Sequence, residues 1–260
     1  MATAPQPSLP LFYNDLMPLN SRDHAKYKIN PPEGMTWLVN QHAVPLTVDE
    51  FIQAQRHFPI VFSSGEGNVP LALMGLNEGV NTFFDDKGKL SEDVYIPAYA
   101  RRYPYMLARL TPDSEELSLC FDPSSGILGD FKEGEALFDP EGNPAQPIQG
   151  ALDFCQKFEE AGVKTQSFIE ELNRKEILMD GEISITRNDE PEKPYIYRGF
   201  KMVNEEKLRD LDAETAKLWT GNGIMALIFA HLFSMDVMRT IFGRQMAQNK
   251  IPAPAEEPAA

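Results

Sequence analysis

The apolar residues of this chain recur with two different periods, and the change between them constrains the fold more than any other feature. In the N-terminal half, short apolar segments such as 60–62 and 71–76 are separated by Gly, Asn and Pro, which is typical of antiparallel strands. From Ile148 the apolar residues return every three or four positions, at Leu152, Cys155 and Phe158, which is typical of amphipathic helices. The sequence therefore predicts an α+β fold, with an antiparallel sheet in the N-terminal half and a mostly helical C-terminal half that contains a small hairpin.

The same patterns divide the chain into four segments. Residues 1–34 predict an extended N-terminal arm, and residues 35–147 predict the mainly antiparallel β region. Residues 148–248 predict the mainly helical region with its hairpin, which we expect to pack on the β region as one unit. Residues 249–260 are mostly Pro, Ala and Glu, so we expect a disordered tail.

Local signals predict where several helices begin and end. Thr47 and Glu50 have the spacing of a capping box, in which the Thr47 hydroxyl accepts from the Glu50 N–H and the Glu50 carboxylate accepts from the Thr47 N–H. One amphipathic helix is predicted to end at Gly162 and a second to begin at Thr165. The segment from Ile224 to about Gln248 predicts the longest helix of the chain.

A hairpin is predicted in the C-terminal half. Asp180 and Gly181 form a dipeptide that favours a tight turn, and they lie between apolar flanks within residues 178–185. Residues 195–203 alternate like a strand that returns to this hairpin.

Charge and cysteine content exclude some classes of function. The 260 residues include 24 basic and 39 acidic side chains, and this net charge of -15 opposes binding to nucleic acid or to an anionic membrane surface. Cys120 and Cys155 are too few for a disulfide framework, so a reducing compartment fits best and both are predicted to be small buried hydrophobes. We therefore expect an acidic, soluble protein with no nucleic-acid partner.

The N-terminal sequence carries no secretory pattern. The first seven residues lack a basic segment followed by an apolar one, and the chain contains no run of about 20 apolar residues. We therefore expect a cytoplasmic protein with no membrane span. The alternative is export without a cleavable N-terminal signal.

The usual signatures of catalysis and cofactor binding do not occur in the sequence. The four histidines, His24, His42, His57 and His231, have none of the spacings that hold zinc. Neither Gly-rich phosphate-binding motif is present, and the Gly-x-Ser-x-Gly motif of hydrolases is also missing. The sequence therefore assigns no catalytic residue, no metal site and no cofactor.

The most distinctive stretch is rich in tyrosine and arginine. It gathers a pair of arginines and four tyrosines into eleven residues of an acidic chain, at Tyr95, Tyr99, Arg101, Arg102, Tyr103 and Tyr105. Tyrosine and arginine are enriched at the centres of binding interfaces because they combine apolar area with a polar end. We therefore take Tyr95, Tyr99, Arg101, Arg102 and Tyr103, together with Asp122, as candidate ligand-binding residues.

A structural role is the alternative for this stretch. The tyrosines could pack half-buried against the sheet, while the arginines neutralise nearby carboxylates such as Asp85, Asp122 or Asp130. Asp122 follows an apolar strand at 117–121, so it could pair with Arg101 or Arg102, or act with them in a polar pocket.

Several of these segments together resemble the SapC family of bacterial proteins. The resemblance runs from about Leu11 to Phe242, and its most specific part is Tyr-Ile-Pro-Ala-Tyr followed by Arg-Arg-Tyr-Pro. The segments that carry it are 59–62, 71–76 with Asn81, 95–99, 101–104, 137–139 with Gly142, Thr165, 197–200 and 230–232.

The resemblance implies a cellular context but no reaction. The family is linked by name to surface-layer proteins, and its members often lie beside TonB-dependent receptors and flavin-dependent halogenases in bacterial genomes. It has no agreed catalytic residues, so none is transferred to this chain. A flavin-dependent halogenase or a component of an uptake system is therefore an implied partner.

Two classes of function follow from these observations. The leading hypothesis is a non-catalytic binding or accessory protein, linked to nutrient uptake or surface assembly, that recognises a protein or a small molecule. The first alternative is an enzyme with an unfamiliar site, in which Asp122, His231 or Tyr103 acts as acid or base near the arginines. The second alternative is an exported surface-layer component.

Overall fold

The structure is a computed structural model that describes residues 9–65, 67–111, 116–187 and 189–251. The first eight residues of the predicted arm lie outside the described residues. Residues 252–260, most of the predicted disordered tail, also lie outside them.

The described residues form an α+β fold, as the change of period predicts. Within these ranges the strands are β1 (Met17–Pro18), β2 (Lys28–Ile29), β3 (Ala43–Pro45), β4 (Ile60–Ser63), β5 (Pro70–Leu73), β6 (Tyr105–Ala108), β7 (Ser118–Phe121), β8 (Leu128–Gly129), β9 (Glu135–Ala136), β10 (Leu178–Ile185) and β11 (Tyr195–Val203). The α-helices in the same ranges are α1 (Phe51–Ala54), α2 (Ala98–Arg101), α3 (Gln146–Arg174), α4 (Glu205–Arg209), α5 (Ala213–Gly221), α6 (Ile224–Ser234) and α7 (Val237–Ala247). Short 3-10 helices span Thr36–Leu38, Val48–Glu50 and Pro123–Ser125.

The chain divides into two compact units, and each is built from two separate stretches of sequence. The first unit comprises Met1–Gly34 and Ala100–Glu160, and the second comprises Met35–Tyr99 and Ala161–Ala260. Two of the three boundaries fall inside α2 and α3, and the third follows Gly34.

An antiparallel sheet of five strands forms the centre of the second unit, in the order β10-β11-β4-β5-β3. Val61 and Phe62 are consecutive in β4, so their side chains point to opposite faces of this sheet. Val61 belongs to an apolar cluster with Met238 and Phe242 of α7. Phe62 lies against the rings of Phe168 on α3 and His231 on α6, at centroid distances of 6.4 and 5.0 Å. The sheet is therefore covered by helices on both faces.

Two small sheets lie in the first unit, together with the first half of α3. Their strand orders are β1-β7-β6 and β8-β2-β9, and all pairings are antiparallel. The predicted arm supplies one strand to each sheet, since Met17 pairs with Phe121 and Lys28 pairs with both Gly129 and Ala136. The arm is therefore part of the sheet structure of this unit.

The structure corrects two predictions about helices. The helix predicted to end at Gly162 continues to Arg174, because one glycine costs a helix only about 1 kcal/mol and the apolar stripe extends beyond it. The segment predicted as the longest helix is instead two helices, α6 and α7, separated at Met235 and Asp236. The longest helix in the described part of the chain is therefore α3, with 29 residues.

The predicted turn at Asp180 and Gly181 is also wrong. Both residues lie inside β10, where Asp180 pairs with Lys201 and Gly181 pairs with Phe200. The Phe200 ring covers the space that a side chain at position 181 would fill, and a β-bulge follows between Gly181 and Ile183. Glycine thus permits close cross-strand packing here, while the hairpin connection lies between Ile185 and Tyr195.

One helical segment has the length and composition of a membrane span. Residues 224–247, which comprise α6 and α7, have a mean hydropathy of 1.5 in their most apolar window, of which 33% is buried within the protein. The same length and composition also occur in core helices of soluble proteins.

Candidate functional site

The first residues of the Tyr/Arg stretch are hydrogen-bonded to a buried carboxylate, that of Glu50. The capping box is present: Glu50 Oε2 accepts from the Thr47 N–H and from the Thr47 hydroxyl, both at 2.8 Å. Glu50 Oε1 accepts from the Tyr95 hydroxyl at 3.0 Å and from the Ala98 N–H at 2.6 Å. One carboxylate therefore fixes both a 3-10 helix and the start of α2.

Arg102 is buried against the first half of α3. Its side chain is 6% exposed, and its guanidinium carbon lies 4.4 Å from the centre of the Phe158 ring and 5.8 Å from that of Tyr13. An ion pair joins Arg102 Nη1 to Glu159 Oε1 at 3.6 Å. Aromatic faces and a carboxylate thus compensate for the loss of water around this charge.

Arg101 has a different environment from its neighbour. It is exposed, and its guanidinium carbon lies 5.1 Å from the centre of the Phe154 ring. Phe154 and Phe158 are four residues apart on α3, so they lie on the same side of that helix. The two arginines therefore contact successive turns of α3.

Asp122 is fully buried and anchors the arm. Its carboxylate accepts from the Asn14 N–H and from the Ser124 N–H, both at 2.8 Å, and from the Tyr103 hydroxyl at 3.4 Å. It forms no ion pair with Arg101 or Arg102 among the described residues; the carboxylate beside Arg102 is that of Glu159. Asp122 also caps the 3-10 helix Pro123–Ser125.

The arm packs directly on the tyrosines of the stretch. Tyr13 is buried, and its hydroxyl donates to the Tyr105 carbonyl at 2.7 Å. Its ring meets that of Tyr103 edge-on at a centroid distance of 5.2 Å. Burial, and then the charge and hydrogen bond of Asp122, raise the pKa of Tyr103 to about 12, so this phenol stays protonated.

Comparison with known protein families gives one match. The family model described as SapC matches residues 19–241, which is most of the chain. The chain belongs to the SapC family. No curated protein and no solved structure matches it.

The residues matched by the SapC family model include all six proposed ligand-binding residues. Five of them lie in one stretch, 95–103, and the sixth is Asp122. The structure places Arg101, Arg102, Tyr103 and Asp122 in the first unit, where Tyr103 and Asp122 are bonded to each other. Tyr95 and Tyr99 belong to the second unit, and Tyr99 is buried. Tyr103, Arg102 and Asp122 thus serve the packing of their unit.

Sequence reasoning missed the partners of these residues. Tyr13, Phe158 and Glu159 surround Arg102, yet they lie between 56 and 89 residues away along the chain. A local signal lay in the spacing of Phe154 and Phe158, four residues apart within a predicted helix.

The cysteine of α3 is held as a thiol. Cys155 is buried, and burial raises its pKa to about 11 despite the opposing charge of Arg102. Burial also raises the pKa of Tyr105, whose hydroxyl is buried and has no hydrogen-bond partner among the residues described.

His231, the other candidate acid or base, lies in the second unit. Its Nε2 accepts from the Val203 N–H at 3.1 Å, so Nδ1 carries the proton and donates to the Ile60 carbonyl at 2.6 Å. Burial lowers its pKa to about 4, so the ring is neutral at pH 7. The hydrogen-bond partners of His231 and of Asp122 all lie within their own units.

No metal site is formed by the described part of the chain, where no three His, Cys, Asp or Glu side chains come together in a suitable group. The Tyr/Arg stretch itself offers hydrogen bonding, aromatic contact and the positive charge of the arginines.

Proposed function

We propose that this SapC-family chain is a non-catalytic binding or accessory protein, and that Arg101 is its main contact residue. The observation that carries this proposal is the position of Arg101, which is exposed while its guanidinium lies over the Phe154 ring. Contact with a ring restricts the side chain. An arginine held in this way loses less conformational freedom when it binds.

The neighbouring residues support a scaffold role for the rest of the stretch. Arg102 is buried beside Phe158 and Glu159, and Tyr95 is bonded to Glu50. The contacts of Arg102 hold the chain directly beside Arg101 within the first unit, so the arginine is presented from an anchored backbone.

The groups that could act as acid or base are committed to structural hydrogen bonds. Asp122 accepts three of them, and His231 bonds two backbone groups at a site without exposure to solvent. This arrangement favours binding over catalysis, because a catalytic acid or base must reach its substrate.

The ligand that best fits Arg101 carries a carboxylate. A guanidinium can bind a carboxylate through two parallel hydrogen bonds, and a ring beneath it adds apolar contact area. In a chain with a net charge of -15, such a cation also attracts an acidic group locally. We propose a protein of an uptake system, a flavin-dependent halogenase or a small molecule bound by one of them as the first candidates, because the family resemblance implies them.

Substitution of Arg101 tests this function. We expect Arg101→Ala to abolish at least one interaction found by affinity purification from the native cell with mass spectrometry of proteins and small molecules. Arg101→Lys should retain it only in part, because lysine keeps the charge but loses the planar fork. Lys157→Ala is the matched control, since Lys157 is also exposed and basic and lies one turn from Phe154 on α3.

Equal binding by the wild type and Arg101→Ala would contradict the proposed role. The melting temperature of each variant should stay close to that of the wild type, because Arg101 is exposed. By contrast, Arg102→Ala should lower the melting temperature whatever its effect on binding, since it removes a buried side chain.

We also propose a cytoplasmic location. Fractionation of the native cell with an antibody against the chain tests it. Detection mainly in the membrane or extracellular fraction would instead support the exported alternative.

A further inference from the structure

The part of the N-terminal arm that precedes β2 covers candidate ligand-binding residues of the first unit. We name residues 9–18 the strap. Tyr13 of the strap packs edge-on against the ring of Tyr103 at a centroid distance of 5.2 Å, and its ring lies 5.8 Å from the guanidinium carbon of Arg102. Its hydroxyl donates to the Tyr105 carbonyl at 2.7 Å. The strap therefore occupies the surface beside Tyr103 and Arg102.

The backbone of the strap is bound in the way that an extended peptide is bound. The Asn14 N–H donates to Asp122 Oδ2 at 2.8 Å, and β1 pairs antiparallel with one edge of β7. Addition of an extended segment to the edge of a sheet is a common mode of peptide recognition, in which backbone hydrogen bonds give affinity and side-chain contacts give specificity. We name the surface formed by β7, Arg102, Tyr103 and Asp122 the strap site.

Local features weaken the attachment of the strap. Phe12 has a φ of 80°, and a bulky residue is strained in this left-handed region, which it keeps only while its surroundings hold it there. Of the described residues 9–18, only the two residues of β1 form a strand. Leu9, Leu11 and Met17 keep a large part of their side chains exposed. The strap is therefore attached more weakly than a fully paired strand.

The next part of the arm is held separately from the strap. β2 lies between β8 and β9 in the other small sheet, and the Asn30 N–H that follows it donates to the Ile127 carbonyl at 2.9 Å. These contacts involve no residue of the strap. Release of the strap therefore leaves the rest of the arm in its sheet.

We propose that the strap is an internal peptide ligand, and that its release lets the strap site bind an extended segment of a partner protein in its place. The segment that fits carries a tyrosine followed by a residue other than proline. Its tyrosine replaces Tyr13 beside Tyr103 and Arg102, and the next N–H replaces that of Asn14 on the Asp122 carboxylate. This inference does not rest on Arg101, so the proposed function and the strap site can fail separately.

A substitution in the strap disables it and leaves the strap site unchanged. In Asn14→Pro, position 14 has no N–H to donate to Asp122. Asn14→Ala is the matched control, because it keeps that N–H and removes a side chain whose bond to Ser124, at 3.3 Å, is exposed.

Fluorescence anisotropy with a labelled synthetic peptide of residues 9–19 compares the full-length chains. The strap competes with any added peptide at an effective concentration of about millimolar, because it is tethered beside its site. We therefore expect Asn14→Pro to bind the peptide about tenfold or more tightly than the wild type does, and Asn14→Ala to resemble the wild type. The same peptide with Tyr13→Ala should bind Asn14→Pro about tenfold or more weakly. Equal binding by the three chains, or none by Asn14→Pro at about 1 mM peptide, would overturn the proposal.

Hydrogen exchange of the wild type tests release without any variant. The Asn14 N–H should exchange about tenfold or more faster than the Asn30 N–H of the same arm, after correction for their intrinsic rates, because the strap opens while β2 stays paired. Equal protection of the two would show that the strap leaves only when its unit unfolds, and the proposal would be wrong.

The strap of a second copy is the other occupant to test. If sedimentation velocity shows a wild-type dimer that an excess of the peptide of residues 9–19 converts to monomer, copies of this chain exchange their straps. The strap site is then an interface between copies, and binding of a separate partner segment is contradicted.

Discussion

At the residue scale, each oxygen of the Glu50 carboxylate accepts two hydrogen bonds. The Thr47 half of this arrangement was predictable from sequence, because a capping box depends on residues three positions apart. The hydrogen bonds from Tyr95 and Ala98 to Glu50 were not predictable. At least 45 residues separate these partners from Glu50, and no local sequence pattern encodes the contact. The same limit applies to Arg102, which forms an ion pair with Glu159 and not with Asp122.

Replacing Glu50 should destabilise the second unit. In Glu50→Gln one acceptor oxygen becomes an NH₂ donor that faces N–H or O–H donors, so we expect a loss of about 2 to 3 kcal/mol in the free energy of unfolding. Urea unfolding followed by tryptophan fluorescence measures it, since Trp37 and Trp219 both belong to this unit.

Asp49→Asn is the control for Glu50→Gln. Asp49 is an exposed neighbour that pairs with Lys164 on the surface, so its replacement should cost no more than about 1 kcal/mol. Similar effects of the two substitutions would contradict the central position of the Glu50 carboxylate.

At the element scale, the fold class was predictable and several boundaries were not. The change of apolar period correctly separates a sheet-rich half from a helix-rich half, because one buried face imposes its period on the sequence. The predicted helix end at Gly162 and the predicted turn at Gly181 were wrong for the same reason. A glycine has the same local signature whether it ends an element or allows close packing within one, and only tertiary contacts distinguish these cases.

Alanine substitutions at these two glycines should have opposite effects. A Cβ at position 162 meets no atom within 4 Å, so Gly162→Ala should stabilise α3 by about 1 kcal/mol and raise the melting temperature by about 2 to 4 °C. Gly181→Ala should lower it, because the Phe200 ring occupies the required space. Thermal unfolding monitored by circular dichroism compares them; a destabilised Gly162→Ala would show that the helix is interrupted there.

At the scale of the whole molecule, acid should destabilise the fold through a buried base. The pKa of His231 is about 4 in the folded chain and 6.5 in its ordinary state, so the unfolded chain binds the extra proton between these values. This contribution is fully present above pH 6.5 and is lost as pH falls towards 4. We expect about 2 kcal/mol less stability at pH 5 than at pH 7.

The change in overall charge with pH acts in the opposite direction to the protonation of His231, so the two effects on stability can be distinguished. Moving from pH 7 towards the pI of about 4.7 reduces the net charge of -15 and its self-repulsion, which by itself favours the folded state. Urea unfolding at a series of pH values measures the balance, and the NMR signal of the His231 ring should not titrate above about pH 5. A ring signal that titrates near pH 6.5 would show that His231 is accessible to solvent.

The pairing of β2 has a consequence for the order of events during synthesis. This strand is made early, but it lies between β8 and β9, and those partners begin at Leu128 and Glu135, about 100 residues later. At typical translation rates of about 5 to 20 residues per second, the arm waits roughly 5 to 20 seconds on the ribosome before its neighbours exist. Its apolar side chains therefore have to avoid other contacts during that interval.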